Sequence, residues 1–199
     1  MMTVEMSRRP LLLASLALGV CLSAATRASA SLIVALDLPS MVSRADHIAV
    51  VDVVSVKSNW DASHKRILTT TDLAVVETWK GPAAPASHFT LVQPGGTVGD
   101  VQTVVFGMAR FSPGERALVF LRGRPDRAGV VGMAQGKRGI VREASTGRAM
   151  VQVADKAGAV FVRNPQGGAS APVFETRARP IEDLRAEIQA LAAGAGQVK

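Results

Sequence analysis

The chain has 199 residues, a formal net charge of +7, one cysteine and no tyrosine. That length suffices for one domain with a single core, and a valine-rich, aromatic-poor composition points to β-structure filling it. The positive surplus favours loose attraction to polyanions. The basic residues are nevertheless dispersed, with local concentrations only at Arg122, Arg124, Arg127 and at Lys137-Arg138, and no aromatic ladder lies between them for base stacking. This excludes a specific nucleic-acid partner as the leading expectation.

Residues 1–30 read as an export signal. Arg8 and Arg9 supply a basic start, Leu11 to Leu22 an apolar stretch, and Ala28-Ser29-Ala30 a small-x-small cleavage site, so the working protein is expected to begin at Ser31, in the periplasm or outside the cell. The apolar stretch is well short of the roughly 20 residues that span a bilayer, which favours cleavage over a retained anchor. Ser7-Arg8-Arg9 before Pro10-Leu11-Leu12 resembles the twin-arginine motif of folded export, and two arginines also suit an ordinary basic start. Val20 directly before Cys21 departs from the Leu-Ala-Gly-Cys pattern of lipoprotein signals and argues against lipidation. Cleavage removes three arginines and one glutamate, leaving a charge of about +5. It also removes Cys21, so the mature domain has neither a disulfide nor a thiol nucleophile.

In the mature chain, Leu38 to Ala45 predicts a short helix, with Asp37 or Leu38 at its cap, Pro39 in the first turn, and Met41, Val42 and Ala45 on its buried face. His47 to Lys57 is β-branched and apolar on both faces, the pattern of a central strand. Ser58 to Lys65 is turn-like, and Ile67 to Trp79 alternates as the antiparallel return of a long hairpin. A third strand is expected at Phe89 to Val92, then an irregular loop or bulged strand over Thr97 to Arg110. Phe111 to Arg116 delivers a fully apolar strand at Ala117 to Leu121. Shorter strands are expected at Val130 to Ala134, Gly139 to Arg142, Met150 to Val153 and Val160 to Val162, a spacing that suits a barrel or sandwich. The β domain thus spans 31–163. A linker follows over 164–180, with its clearest composition at Asn164 to Pro172, and then a helix over 181–193 whose stripe of Ile181, Leu184, Ile188 and Leu191 needs a partner surface.

The helix ending in Arg44-Ala45-Asp46, the hairpin closing in Trp79-Lys80-Gly81, and Phe111-x-Pro113-Gly114-Glu115-Arg116 before Val119-Phe120-Leu121 resemble the netrin-like, or tissue-inhibitor-of-metalloproteinase-like, modules of secreted proteins. The resemblance covers residues 38–122. It implies a mainly β fold: an OB-like antiparallel β-barrel, here with a short N-terminal helix and a C-terminal amphipathic helix. Inhibitory members of that family chelate a catalytic zinc through an N-terminal Cys-x-Cys. The mature chain begins near Ser31-Leu32 and has no cysteine, so no inhibitory residue carries over.

The candidate chemistry is sparse. His47, His64 and His88, with Asp46 and Asp61, are the set from which a metal site would have to be drawn, but their spacing matches no compact ligand motif. A polar turn in which Asp61 and Ser63 bond the backbone explains that loop as well. The chain lacks Gly-x-Ser-x-Gly, and Gly95-Gly96-Thr97-Val98-Gly99 lacks the Lys-Ser/Thr and helix of a phosphate loop. Gly136-Lys137-Arg138-Gly139 is an anion contact or a plain hairpin turn. Trp79 is expected in the core and Trp60 at a contact. The reading these residues support is an exported, non-catalytic barrel without a cofactor, binding an envelope or secreted macromolecule through the Thr97–Arg110 loop and a surface of Trp60, Asp61, His64, Lys137 and Arg138. The alternatives are an inhibitor or chaperone of a secreted metalloprotease and, third, a metal-dependent hydrolase using the three histidines.

Overall fold

A computed structural model describes residues 32–153, 160–162 and 177–195. The expected signal segment and the Asn164–Pro172 part of the expected linker lie outside the described residues. Helix α1 (Leu38–Arg44) starts where the sequence places it: Asp37 is the N-cap, its Oδ1 accepting the Ser40 N–H at 2.8 Å, and Pro39 occupies the first turn. At its other end the Lys80 ammonium donates to the carbonyls of Val42 and Ala45, both at 2.7 Å, satisfying acceptors the helix leaves open.

Strands β2 (His47–Trp60) and β3 (Ile67–Lys80) form one long antiparallel hairpin. The expected turn at Ser58 is displaced, because Ser58 to Trp60 stay paired with Ile67 to Thr69. Register shifts interrupt the pairing between Ile48 and Ala49, between Val50 and Val51, and between Val53 and Ser55. Such bulges bend a strand and add right-handed twist. Strand β4 (His88–Pro94) pairs with β3. A small separate hairpin, β5 (Gly96–Val98) and β6 (Val101–Thr103), occupies the start of the expected irregular loop.

Strand β7 (Arg116–Arg122) lies on the other side of β2, so β2 is central, as its two-faced apolar pattern requires. Both β8 (Gly129–Val130) and β9 (Lys137–Arg142) pair with the outer side of β7. Strand β10 (Ala149–Val151) then pairs with β9, and β12 (Arg179–Pro180) with β10. The protein is therefore mainly β, with an antiparallel sheet in the order β12-β10-β9-β7-β2-β3-β4 and β8 beside β7. Strand β1 (Leu32–Val34) pairs in parallel with β11 (Val160–Val162). Among the described residues no ladder joins β4 to β12. One isolated parallel bridge links Leu91 of β4 to Ala128, whose N–H donates to the Thr90 carbonyl at 3.0 Å.

Two further expectations are corrected. Val130 to Ala134 is not a strand: after β8 the backbone turns left-handed at Gly132 and Met133 and enters a 3-10 turn over Met133–Gly136. A Cβ on Gly136 would lie 2.2 Å from the Val131 carbonyl oxygen, so the chain doubles back here on glycine. The end of the expected linker is also structured, since Arg179 and Pro180 pair with β10.

Two apolar clusters occupy opposite faces of the β2–β7 pair. On one, Ile48, Val50, Leu118 and Phe120 meet Leu38, Met41 and Val42 of α1 and Leu184 and Ile188 of α2 (Ile181–Ala195), with Trp79 buried alongside. The C-terminal stripe thus finds its partner on the sheet. Arg185 anchors the helix further, ion-paired to Glu77 at 2.7 Å and lying 5.7 Å from the Trp79 ring centre. The other cluster joins Ala49, Val51, Val53, Ala117, Val119 and Leu121 to Leu73, Phe89, Leu91 and Ala128. No helix among the described residues is long and apolar enough to cross a membrane.

Candidate functional site

The second cluster does not end in a closed core. Strand β3 sends Leu73, Thr71 and Thr69 to one face by simple alternation, paired with Phe89, Leu91 and Gln93 of β4, so the face changes from apolar to polar along its length. On β2 the shift between Val53 and Ser55 leaves Val54 exposed and reverses the parity, so Val56 and Ser58 continue the face that Val51 and Val53 began. The loop 95–111 lies beside this polar end and lines with it a half-open cavity of about 540 Å³, within the usual size range of small-molecule and side-chain pockets.

Thr71 is 1% exposed and Gln93 8%, and both line the cavity. Neither polar group is sealed away from the cavity: both reach its open space. A hydroxyl and an amide open to the cavity can each donate to or accept from a group that enters it. Ser58 and Thr69 are already committed to each other. The Thr69 hydroxyl donates to the Gly95 carbonyl at 2.6 Å, so across their 2.8 Å contact Thr69 accepts and Ser58 donates. Gly96 completes that corner: its φ is +130°, and a Cβ there would lie 2.3 Å from the Ser58 hydroxyl oxygen. Only glycine fits.

The loop itself is anchored by the Gly107 carbonyl, which accepts the Ala134 N–H at 2.8 Å. The loop leaves Val101, Phe106 and the cavity-lining Val104 about half exposed. Arg110 is the one charged residue among those lining the cavity, which include no histidine, cysteine, aspartate or glutamate. The lining can donate and accept hydrogen bonds and attract negative charge, but it holds no group suited to moving a proton near neutral pH.

The residues expected to form a contact surface are dispersed. Trp60 is half-buried at the end of β2, and Asp61 folds the tip of the hairpin. Its carboxylate accepts the N–H of Lys65 at 2.8 Å and of Arg66 at 3.2 Å, and the Ser63 hydroxyl at 3.0 Å. These bonds, the Lys65 N–H foremost, hold its pKa down at about 2. His64 is exposed and left-handed, with φ 54°, as a turn residue. His47 sits at the opposite end of β2, roughly 40 Å of extended strand away, with its ring 5.0 Å from Phe89. His88 opens β4 opposite Ala74. The three histidines do not converge, and among the described residues no three His, Cys, Asp or Glu side chains gather around one point.

Lys137 and Arg138 correct the expectation of an exposed basic pair, because they begin a paired strand rather than a turn. The Lys137 ammonium pairs with Glu115 and lies 5.7 Å from the Phe111 ring centre. Arg138 is 4% exposed, its guanidinium 5.6 Å from the Phe120 ring centre. Both act within the fold. The loop 97–110 was legible as a candidate surface, whereas Thr71 and Gln93 were not. Their only signal was a threonine run, Thr69-Thr70-Thr71, inside a strand whose neighbours on that face are apolar. The chain matches no known protein-family profile, no curated protein and no solved structure, so the functional reading rests on this geometry and on the sequence.

Proposed function

We propose that this protein is an exported, non-catalytic binding module built on an OB-like β-barrel, and that it holds an envelope or secreted protein at the loop 95–111. The observation that carries the reading is the cavity beside the loop, where the Thr71 and Gln93 side chains offer hydrogen-bonding groups and no histidine, cysteine, aspartate or glutamate stands among the lining residues. A partner that inserts one polar side chain there would lay an apolar surface over Val101, Val104 and Phe106, exposed on the same loop. What supports a closed barrel is the Leu91–Ala128 bridge, since Ala128 leads into β8 and β8 pairs with β7. Export rests on residues 1–30.

The test immobilises the wild-type chain and the double variant Val104→Glu/Phe106→Glu and exposes both to the host's envelope and secreted fractions. A single protein retained by the wild type through a high-salt wash and lost by the variant supports the reading. Retention equal in both, or a mixed set released by salt, removes it, as does turnover of any substrate abolished by His64→Ala.

A further inference from the structure

A second cavity, also of about 540 Å³, lies away from the loop 95–111 and has a different chemistry. Its apolar wall includes Val34, Leu36, Val130 and Met133, and Arg44 and Arg122 stand at its charged side. The two arginines come from the last residue of α1 and the last residue of β7, so the fold brings them together from distant parts of the chain. Among the described residues neither has a carboxylate within ion-pair distance, whereas Arg66, Arg116, Arg124 and Arg185 each close on an aspartate or glutamate. The acids nearest in sequence stand close without closing an ion pair: Asp46 accepts the N–H of Gly123, the neighbour of Arg122, at 2.8 Å, and Asp37, which caps α1, feels the charge of Arg44.

The wall is fixed in place by a buried amide. Gln135, 5% exposed, accepts the Leu36 N–H at 2.8 Å and donates to the carbonyls of Val34 at 3.0 Å and Gly132 at 3.1 Å. It ties the N-terminal segment to the turn that carries Met133. That turn holds Gly132 and Met133 in consecutive left-handed conformations, φ 65° and 59°. The second is strained for a side-chain-bearing residue and sets Met133 in the cavity wall.

We propose that this cavity binds an amphipathic monoanion, a free medium-chain fatty acid. Its carboxylate accepts hydrogen bonds from the Arg44 and Arg122 guanidiniums, whose planar donors match that group, and its acyl chain lies along Val34, Leu36, Val130 and Met133. A nucleotide fits the same charge but would find no aromatic side chain among the lining residues to stack on.

The experiment is isothermal titration of the full chain with sodium decanoate below its micelle concentration, alongside acetate, 1-decanol and a short-chain phosphatidylglycerol. One decanoate should bind per chain, with acetate and decanol each at least about tenfold weaker, because each lacks half of the recognition. Arg44→Gln/Arg122→Gln should weaken decanoate by a similar factor with an unchanged thermal midpoint, since both side chains are exposed. Equal binding of decanol, undiminished binding by the double variant, tighter binding of phosphatidylglycerol, or no decanoate binding would each overturn the proposal. The wild-type comparison of decanoate with decanol decides it even if the variant misfolds.

Discussion

The two faces of the β2–β7 pair come from the same strands, one residue apart, and they are built differently. Toward the helices point Ile48, Val50, Leu118 and Phe120, mostly long or aromatic side chains. Toward the other face point Ala49, Val51, Val53, Ala117, Val119 and Leu121, mostly short ones. A face covered by a separate helical layer leaves a gap that long side chains must fill, whereas a face onto which neighbouring strands curl has little room. The helix-covered face ends in dense packing under α1 and α2. The curled face runs past Leu73 and Leu91 into a polar cavity, and that asymmetry places the candidate site on one side only.

The largest test of the contrast is Phe120→Ala on the helix-covered face. It should cost about 3–5 kcal/mol of unfolding free energy in equilibrium denaturation, and a loss below about 1 kcal/mol would mean that the helices cover a loose interface. Ala49→Leu probes the curled face in the opposite sense. Overpacking there should cost about 1–3 kcal/mol, while an open, uncurled sheet would accept the added methylenes at no cost. Thr71→Val sharpens the comparison from the cavity side: removing a hydroxyl that faces the cavity should change the unfolding free energy by less than about 1 kcal/mol and weaken capture of the partner. On the exposed rim, Arg116→Gln breaks the bidentate pair with Asp52, both contacts at 2.7 Å, and should cost only about 0.2–1 kcal/mol.

The smallest effect belongs to Asp61. Its folded pKa of about 2 lies below the ordinary 3.8, so its contribution is present above about pH 4 and is lost as pH falls through about 2. A carboxyl-carbon NMR titration should give that low midpoint, and Asp61→Asn should remove this part of the acid dependence while leaving both faces of the sheet unchanged.

Much of this was written locally. The Asp37 cap, the Pro39 first turn, the two-faced β2, the alternating β3 and the C-terminal stripe each follow from residues a few positions apart. The failures share a different cause. Val130-Val131 reads as a strand until Gly132 and Gly136 are seen to fold the chain back on the Val131 carbonyl. Lys137-Arg138 reads as a solvated basic pair until Glu115, Phe111 and Phe120 arrive from β7 and the turn before it. Arg44 and Arg122 carry no joint signal at all in the sequence.

The sequence by itself determined the two helices, the long hairpin of β2 and β3, the apolar β7, the central place of β2 and the loop that carries the candidate surface, because periodicity and capping act over one to four residues. Tertiary structure alone decided which face Val56 and Ser58 join, which basic residues are paired, and that Thr71 and Gln93 meet at one cavity. Those outcomes depend on a one-residue bulge and on side chains that meet only after the sheet has assembled, and a bulge that reverses strand parity changes every contact beyond it.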